Sequence, residues 1–143
     1  MAFVIAKNKS ANFNYEIYEK FECGIVLFGW EVKSLRAKKI NLSNSFASFK
    51  KHELFLVNAH ISLYMSVKGE ETRSRKLLMH KNQLLRISLK QKQQGYTLIP
   101  LDIYFNNKNK IKLTLALAKG KNKADKRESE KKQQAKKELK QYY

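Results

Sequence analysis

The stretch KIKLTLAL, residues 110–117, decides the fold class. Polar residues alternate with aliphatic ones, which predicts a half-buried β-strand. Its inward side chains would be Ile111, Leu113, Leu115 and Leu117. The preceding Tyr96–Phe105 is also typical of a strand, and NNKN at 106–109 favours a turn between the two. Pro100 within the first strand predicts an edge position or a bulge.

Working outward from this pair, the same patterns predict four further strands: Tyr15–Phe21, Gly24–Phe28, Ser45–Phe49 and Leu54–Val57, with residues 50–53 as a hairpin turn. A helix is predicted over Asn82–Gln94, ended by Gly95, and a shorter one over Glu31–Ala37. The apolar side chains expected to face inward from these helices are Leu84, Leu85, Ile87 and Leu89 in the first, and Val32 and Leu35 in the second. We also expect Glu31 to cap or electrostatically favour the start of the short helix.

About six short antiparallel strands with a few helices indicate a mainly β protein of the α+β class. Closing such a sheet into a small barrel removes its exposed edges. The oligonucleotide-binding barrel is one closed solution, but periodicity alone does not select it.

The charge balance points to a polyanionic partner. The 143 residues carry 30 Lys or Arg against 12 Asp or Glu, a formal net charge of +18. Such a surplus repels itself in a compact chain, so RNA, DNA, an anionic membrane or an acidic protein is expected to balance it. With 43% hydrophobic residues, the chain has enough material for a core.

Composition divides the chain near Ala118. Residues 1–118 read as one folded domain, whereas residues 119–143 contain ten Lys or Arg, four acids and few apolar residues. A free tail of this kind is expected to be disordered. It is also rich in helix formers, so it is predicted to become helical on RNA, where phosphates would remove the lysine repulsion. A permanently unstructured basic tail is the alternative.

No catalytic residue, metal site or cofactor is predicted. The three histidines, His52, His60 and His80, have no neighbouring ligand at metal-binding spacing, and no phosphate-binding glycine motif is present. Cys23 lies in an apolar stretch and is expected to be an inert buried residue. No targeting segment or membrane-length apolar run appears, so a cytoplasmic location is expected.

Nucleic-acid binding is better supported by the residues. Basic side chains cluster at Lys33, Arg36, Lys38 and Lys39, and again at Arg73, Arg75, Lys76 and Lys81. Tyr15, Tyr18, Trp30, Tyr64, Tyr96 and Tyr104 are interleaved aromatics that either stack on unpaired bases or pack in the core. A generic ribosomal or cold-shock-like RNA protein, an enzyme with an unseen site and a membrane-surface binder remain alternatives. The last is disfavoured because the tail lacks an apolar helical face.

Five ordered segments resemble the small protein B (SsrA-binding protein) family of bacterial trans-translation. They are FECGI at 21–25, GWEVKSLRA at 29–37, LVNAHI at 56–61, RKLLMHK at 75–81, and ALAKGK at 116–121 followed by DKR at 125–127. Each is modest alone, but the set covers nearly the whole chain from Asn8 onward.

The resemblance implies an oligonucleotide-binding-type closed antiparallel β-barrel with flanking helices. It implies a non-enzymatic monomer whose barrel binds the tRNA-like domain of transfer-messenger RNA and delivers it to stalled ribosomes. The basic tail would enter the empty mRNA channel near the decoding centre as a helix. Neither DNA nor a membrane is an expected partner.

The resemblance also assigns site residues. Asn8, Glu22 and Leu78 match family positions tied to RNA binding, although Leu78 could equally belong to the core. Lys33, Ser34 and Arg36 are expected to be exposed and to contact phosphates. The second basic segment completes the predicted RNA-binding set with Arg75, Lys76, His80 and Lys81.

The tail contributes the predicted ribosome contacts: Lys119, Lys121, Asp125, Lys126 and Arg127. Two of its positions depart from the family pattern. Ala124 stands where the family often has His or Tyr, and Glu130 stands where it often has an apolar residue. The sequence therefore supports RNA binding more strongly than the details of tail action.

Overall fold

The computed structural model describes residues 3–64 and 68–121. Its elements, in chain order, are β1 (Phe3–Lys7), α1 (Ala11–Asn14), β2 (Tyr15–Ile25), α2 (Gly29–Arg36), β3 (Ile40–Asn41), β4 (Phe46–Lys50), β5 (Glu53–Val57), β6 (His60–Ile61), β7 (Arg75–Leu78), α3 (Lys81–Gln94), β8 (Thr97–Phe105) and β9 (Ile111–Gly120). The fold is therefore mostly β with a few short helices, as the alternation of apolar residues predicted.

Seven strands form one antiparallel sheet in the order β1-β8-β4-β5-β7-β2-β9, and β8 also pairs with β9. The short strands β3 and β6 pair separately. The predicted strand over residues 110–117 is confirmed as β9, with Leu113, Leu115 and Leu117 buried and Ile111 half-buried. The bulge expected from Pro100 is confirmed by a register shift between Pro100 and Asp102.

Strand β2 differs from its prediction. The two strands predicted over Tyr15–Phe21 and Gly24–Phe28 form one continuous strand that ends at Ile25. Phe21 and Cys23 both face the core, so the inward alternation continues through the junction of the two predicted strands. Near its end Gly24 pairs with both Lys112 of β9 and Leu78 of β7, so β2 joins the two halves of the sheet.

The long helix α3 also differs from its prediction. Ile87 is fully buried and Leu84 packs against the core, but Leu85 and Leu89 are 62% and 48% exposed. Four apolar residues within six positions span more of a helix than one contact with the sheet can cover. Gly95 ends α3 as expected, with the left-handed backbone that glycine adopts without steric cost. Among the helices of residues 3–64 and 68–121, none has the length and apolar content of a membrane span.

Candidate RNA-binding surface

Two adjoining surface depressions lie beside the end of β2. Their volumes are about 390 and 460 Å³, and they share Gly24, Leu78 and Lys112 in their linings. We call this combined surface the β2–β7 face. Its polar and charged lining residues come from five different parts of the fold: Glu22, Arg36, His80, Gln83, Asn109, Lys110 and Lys112.

Gly24 sets the contour of the β2–β7 face. A Cβ built on Gly24 would lie 3.4 Å from the Cβ of Leu78 and 3.8 Å from Nζ of Lys112. A side chain there would fill the space between the two depressions. Leu78 is 49% exposed, so its side chain lies on this face and not in the core.

Glu22 has a neutral partner rather than a basic one. The hydroxyl of Tyr104 on β8 donates a hydrogen bond to Oε2 of Glu22. Partial burial, and then this bond to the carboxylate, raise the pKa of Tyr104 above its ordinary value, so the phenol stays protonated at neutral pH. The bond orients one carboxylate oxygen while Glu22 remains exposed, and the group can accept a further hydrogen bond from a ligand.

Helix α2 presents only part of its predicted basic set to the β2–β7 face. Arg36 and Val32, four residues apart, line this face together. Lys33 is exposed but points elsewhere, with Nζ 5.7 Å from the centre of the Tyr64 ring. Ser34 is fully buried, and its hydroxyl donates a 2.6 Å hydrogen bond to the carbonyl of Ser62. The prediction that Ser34 is exposed is therefore wrong. Its hydroxyl instead links α2 to the segment after β6.

Arg75 is also buried, contrary to its prediction as part of a surface cluster. Its Nε donates to a carboxylate oxygen of the equally buried Glu31. Its terminal nitrogens donate to the carbonyls of Ala59 at 2.8 Å and Glu71 at 3.0 Å. With its donors engaged and no exposed surface, Arg75 has a structural role. A charge pattern alone cannot distinguish such an arginine from a surface one.

Glu31 caps α2 as expected and has a larger role besides. Its Oε1 accepts a 2.7 Å hydrogen bond from the backbone N–H of Phe28 and a 2.5 Å hydrogen bond from Arg73. Burial on its own would raise the pKa of Glu31, but the hydrogen bonds from Arg73, Phe28 and Arg75 outweigh it and hold that pKa below its ordinary value. Glu31 therefore stays ionised and joins α2 to β7.

The remaining residues of the second basic segment lie in three different places. Leu78 and His80 line the β2–β7 face. Lys76 points away and pairs with Glu53 at 3.2 Å, and Lys81 lines a separate depression with Leu84 and Leu85.

Asn8 lies apart from the β2–β7 face. Its side-chain amide donates a 2.9 Å hydrogen bond to the carbonyl of Pro100, and its backbone N–H donates to the carbonyl of Leu101 at 2.7 Å. These bonds attach the end of β1 to the bulge in β8. Asn8 also borders a cavity of about 400 Å³ that includes Lys121.

The first residues assigned to the tail are part of the folded body. Lys119 and Gly120 pair with Glu16 and Tyr15 in the sheet. The backbone N–H of Lys121 donates to the carbonyl of Asn14 at 2.9 Å, and its Nζ donates to the carbonyl of Asn12 at 2.8 Å. The other tail predictions, including Asp125, Lys126 and Arg127, lie outside the described residues.

The predicted RNA-binding set left out four polar residues of this face: Gln83, Asn109, Lys110 and Lys112. Tyr104 was predicted only as an aromatic that either stacks on bases or packs in the core. Tyr104 holds Glu22, and Lys110 and Lys112 line the depressions. The signal for the two lysines was present, because both occupy outward positions in the alternation of KIKLTLAL. The pairing of Tyr104 with Glu22 joins residues 82 positions apart, which no local pattern indicates.

Cys23 has the buried environment expected of it. Its thiol donates a 3.5 Å hydrogen bond to the carbonyl of Leu113, and burial raises the pKa of Cys23 to about 12. The thiolate is therefore negligible at neutral pH. Within residues 3–64 and 68–121, no group of His, Cys, Asp or Glu side chains is arranged to hold a metal ion.

Comparison with known proteins identifies the family. Residues 5–143 match the family model described as SmpB protein. The SsrA-binding protein of Mycoplasmopsis pulmonis (strain UAB CTIP) is 52% identical over 140 residues, covering 98% of this chain and 97% of that protein. The SsrA-binding protein of Campylobacter jejuni (strain RM1221) is 54% identical over 136 residues, covering 92% and 91%.

A solved structure described as "tmRNA-SmpB: a journey to the center of the bacterial ribosome" contains a chain that is 44% identical to this one. The structural match covers 86% of this chain and 92% of that chain, with a TM-score of 0.69. Sequence and structure thus agree over nearly the full length, and the chain belongs to the SmpB protein family.

Proposed function

We propose that this protein binds the tRNA-like domain of transfer-messenger RNA and delivers it to stalled ribosomes for trans-translation. The observation that carries this function is identity of about half the residues, over nearly the whole chain, to proteins named SsrA-binding proteins. Its partners are transfer-messenger RNA and the ribosome, and it acts as a monomer in the cytoplasm.

The β2–β7 face is the proposed contact for the tRNA-like domain. It combines hydrogen-bond acceptors at Glu22, an exposed apolar side chain at Leu78 and cations at Arg36 and Lys112. Cations would position RNA phosphates, while the carboxylate and Leu78 would contact bases or ribose. Of the sequence-predicted set, Lys33, Lys76, Lys81 and Asn8 remain proposed contacts outside this face.

The sheet is proposed to be a closed oligonucleotide-binding-type barrel. Hydrogen-bonded pairing runs from β8 through β4, β5, β7, β2 and β9, and β9 pairs again with β8. The β4–β8 step is narrow, with Ala47 and Leu98 as its one pair of register partners. A circuit of this kind supports closure, because each barrel strand then has two neighbours.

We also propose that the folded body and the tail bind different partners. The body would bind transfer-messenger RNA, and residues 122–143 would bind the decoding centre and the mRNA channel as a basic helix. The pairing of Lys119 and Gly120 supports a boundary after Lys121 rather than after Ala118. Catalysis by the protein is not required for any of these steps.

A competition titration near physiological salt tests the function. Labelled transfer-messenger RNA would be bound by the full chain and then competed with elongator tRNA and duplex DNA. We expect the complex to resist both competitors. If elongator tRNA and duplex DNA compete as well as unlabelled transfer-messenger RNA does, the chain is a generic basic RNA-binding protein, the alternative that the sequence left open.

Replacing Glu22 with Ala is expected to weaken transfer-messenger RNA binding roughly ten- to hundredfold, although the variant is more positive. The physical reason is loss of a charge-assisted acceptor, worth about 1.5–3 kcal/mol. The measurement is the Kd at fixed salt. Glu70→Ala is the matched control, because it removes the same charge from an exposed position off this face. Tighter binding by Glu22→Ala would mean that net charge dominates.

The salt dependence separates phosphate contacts from base contacts. Each of Arg36→Ala and Lys112→Ala is expected to reduce the slope of log Kd against log salt by about 1, as loss of one phosphate contact does. Arg75→Met serves as a contrast, because Arg75 is buried. If it folds, it should leave the slope unchanged. An unaltered slope in both surface variants would remove these two cations from the proposed phosphate contacts.

A further inference from the structure

A bulge in β2 displays a tyrosine that the core does not use. The register between β2 and β9 shifts between Ile17, which pairs with Ala118, and Glu19, which pairs with Leu117. Tyr18 is therefore the extra residue of the bulge. A bulge commonly re-aims a side chain, and Tyr18 is 50% exposed.

Tyr18 belongs to a small aromatic and basic cluster. Its ring centre lies 5.1 Å from that of Tyr96, with the ring planes tilted by 50°. Nζ of Lys119 is 5.1 Å from the centre of the Tyr96 ring and 5.9 Å from that of Tyr18. Tyr96 packs partly against the core, so it supports the cluster while Tyr18 forms its outer part. We call these three residues the tyrosine–lysine platform.

Helix α3 begins at the β2–β7 face, and its C-cap residue Gly95 directly precedes Tyr96 of the platform. His80 and Gln83, at the start of α3, line that face. Farther along the helix, Arg86 and Lys90 both bind the carboxylate of Glu19, the neighbour of Tyr18. These two ion pairs hold α3 against β2 between the face and the platform.

The local charge favours a phosphate-bearing ligand. Lys119 lies opposite Glu16 across the sheet and is exposed, with its Nζ 5.1 Å from the centre of the Tyr96 ring. The platform therefore offers an exposed ring beside the ammonium of Lys119, and an aromatic ring next to a cation is the combination that binds unpaired nucleotides.

We propose that the tyrosine–lysine platform stacks one unpaired base of the same transfer-messenger RNA that occupies the β2–β7 face, with a neighbouring phosphate at Lys119. This inference rests on the proposed function and adds a second contact to it. Stacking on an aromatic side chain tolerates any base, so the platform would contribute affinity and orientation rather than sequence choice.

The test compares Tyr18→Ala with Tyr18→Phe in the full chain. The ring is what stacks, so Tyr18→Ala should raise the Kd for transfer-messenger RNA roughly tenfold, while Tyr18→Phe should stay within about twofold of the parent. Phe3→Ala is the matched control, because it removes a comparably exposed aromatic side chain on β1, outside both the platform and the β2–β7 face. Thermal melting of each variant establishes that the fold is intact.

Ultraviolet cross-linking of the ribosome-bound complex then identifies which RNA the ring touches. A cross-link from Tyr18 to transfer-messenger RNA supports the proposal, and one to ribosomal RNA overturns the assigned partner. An unchanged Kd for Tyr18→Ala, in a chain whose parent binds selectively, overturns the platform alone. If the parent itself does not discriminate transfer-messenger RNA from elongator tRNA, it is the proposed function that fails.

Discussion

A chain ending at Lys121 is expected to bind transfer-messenger RNA with less than about a tenfold loss of affinity and to give no tagging on stalled ribosomes. The β2–β7 face is built from residues before Lys121, so the deletion leaves its geometry intact. A small loss is expected because residues 122–143 contain eight Lys or Arg and four acids. Their net positive charge attracts any RNA modestly, and salt screens this attraction. Tagging needs the contacts that this segment is proposed to make on the ribosome.

The cut must fall after Lys121 rather than after Ala118. Removing Lys119 and Gly120 would delete two sheet pairs and part of the tyrosine–lysine platform. A matched control replaces residues 122–143 with a shuffled segment of the same composition, which restores net charge but not side-chain order. We expect this control to recover RNA affinity and to leave tagging lost. Equal loss of binding and tagging on truncation would place the tail in the main RNA contact.

The strands and their inward residues were predictable because alternation is a local property. Leu113, Leu115 and Leu117 occupy inward positions for the same reason that KIKLTLAL reads as a strand. The ends of elements were less predictable. Gly24 looked like the start of a new strand, but it lies inside β2, where it pairs with both Leu78 of β7 and Lys112 of β9.

The site was only partly predictable because burial of a charge depends on distant partners. Arg75 and Arg36 are equally basic in the sequence, yet only Arg36 reaches the surface. What separates them is Glu31, which lies 44 positions from Arg75 and beside it in space. Ser34 is buried for a similar reason, since its partner is 28 positions away.

Replacing Glu31 with Gln is expected to lower the free energy of unfolding by about 3–5 kcal/mol. The change leaves the guanidinium of Arg75 buried without its counter-charge, which costs far more than an exposed pair would. Denaturant unfolding gives the difference. Glu53→Gln is the matched control, because Glu53 and Lys76 form an exposed pair whose loss should cost less than about 1 kcal/mol. A Glu31→Gln variant as stable as Glu53→Gln would contradict this role of the buried pair.

The pH dependence of the same comparison shows whether charge is the cause. The pKa of Glu31 is held below its unfolded value of 4.5, so its contribution is fully present above that pH and is lost as the pH falls through the lower, folded value. Glutamine resembles the protonated acid at every pH. The stability gap between the parent and Glu31→Gln should therefore be constant near neutrality and shrink in acid.

The double variant Glu31→Leu/Arg75→Met removes both charges together, and it should recover much of the lost stability because no buried ion is left unpaired. A gap that persists unchanged in acid, with no recovery in the double variant, would mean that the shape of the Glu31 side chain, and not its charge, holds α2 against β7.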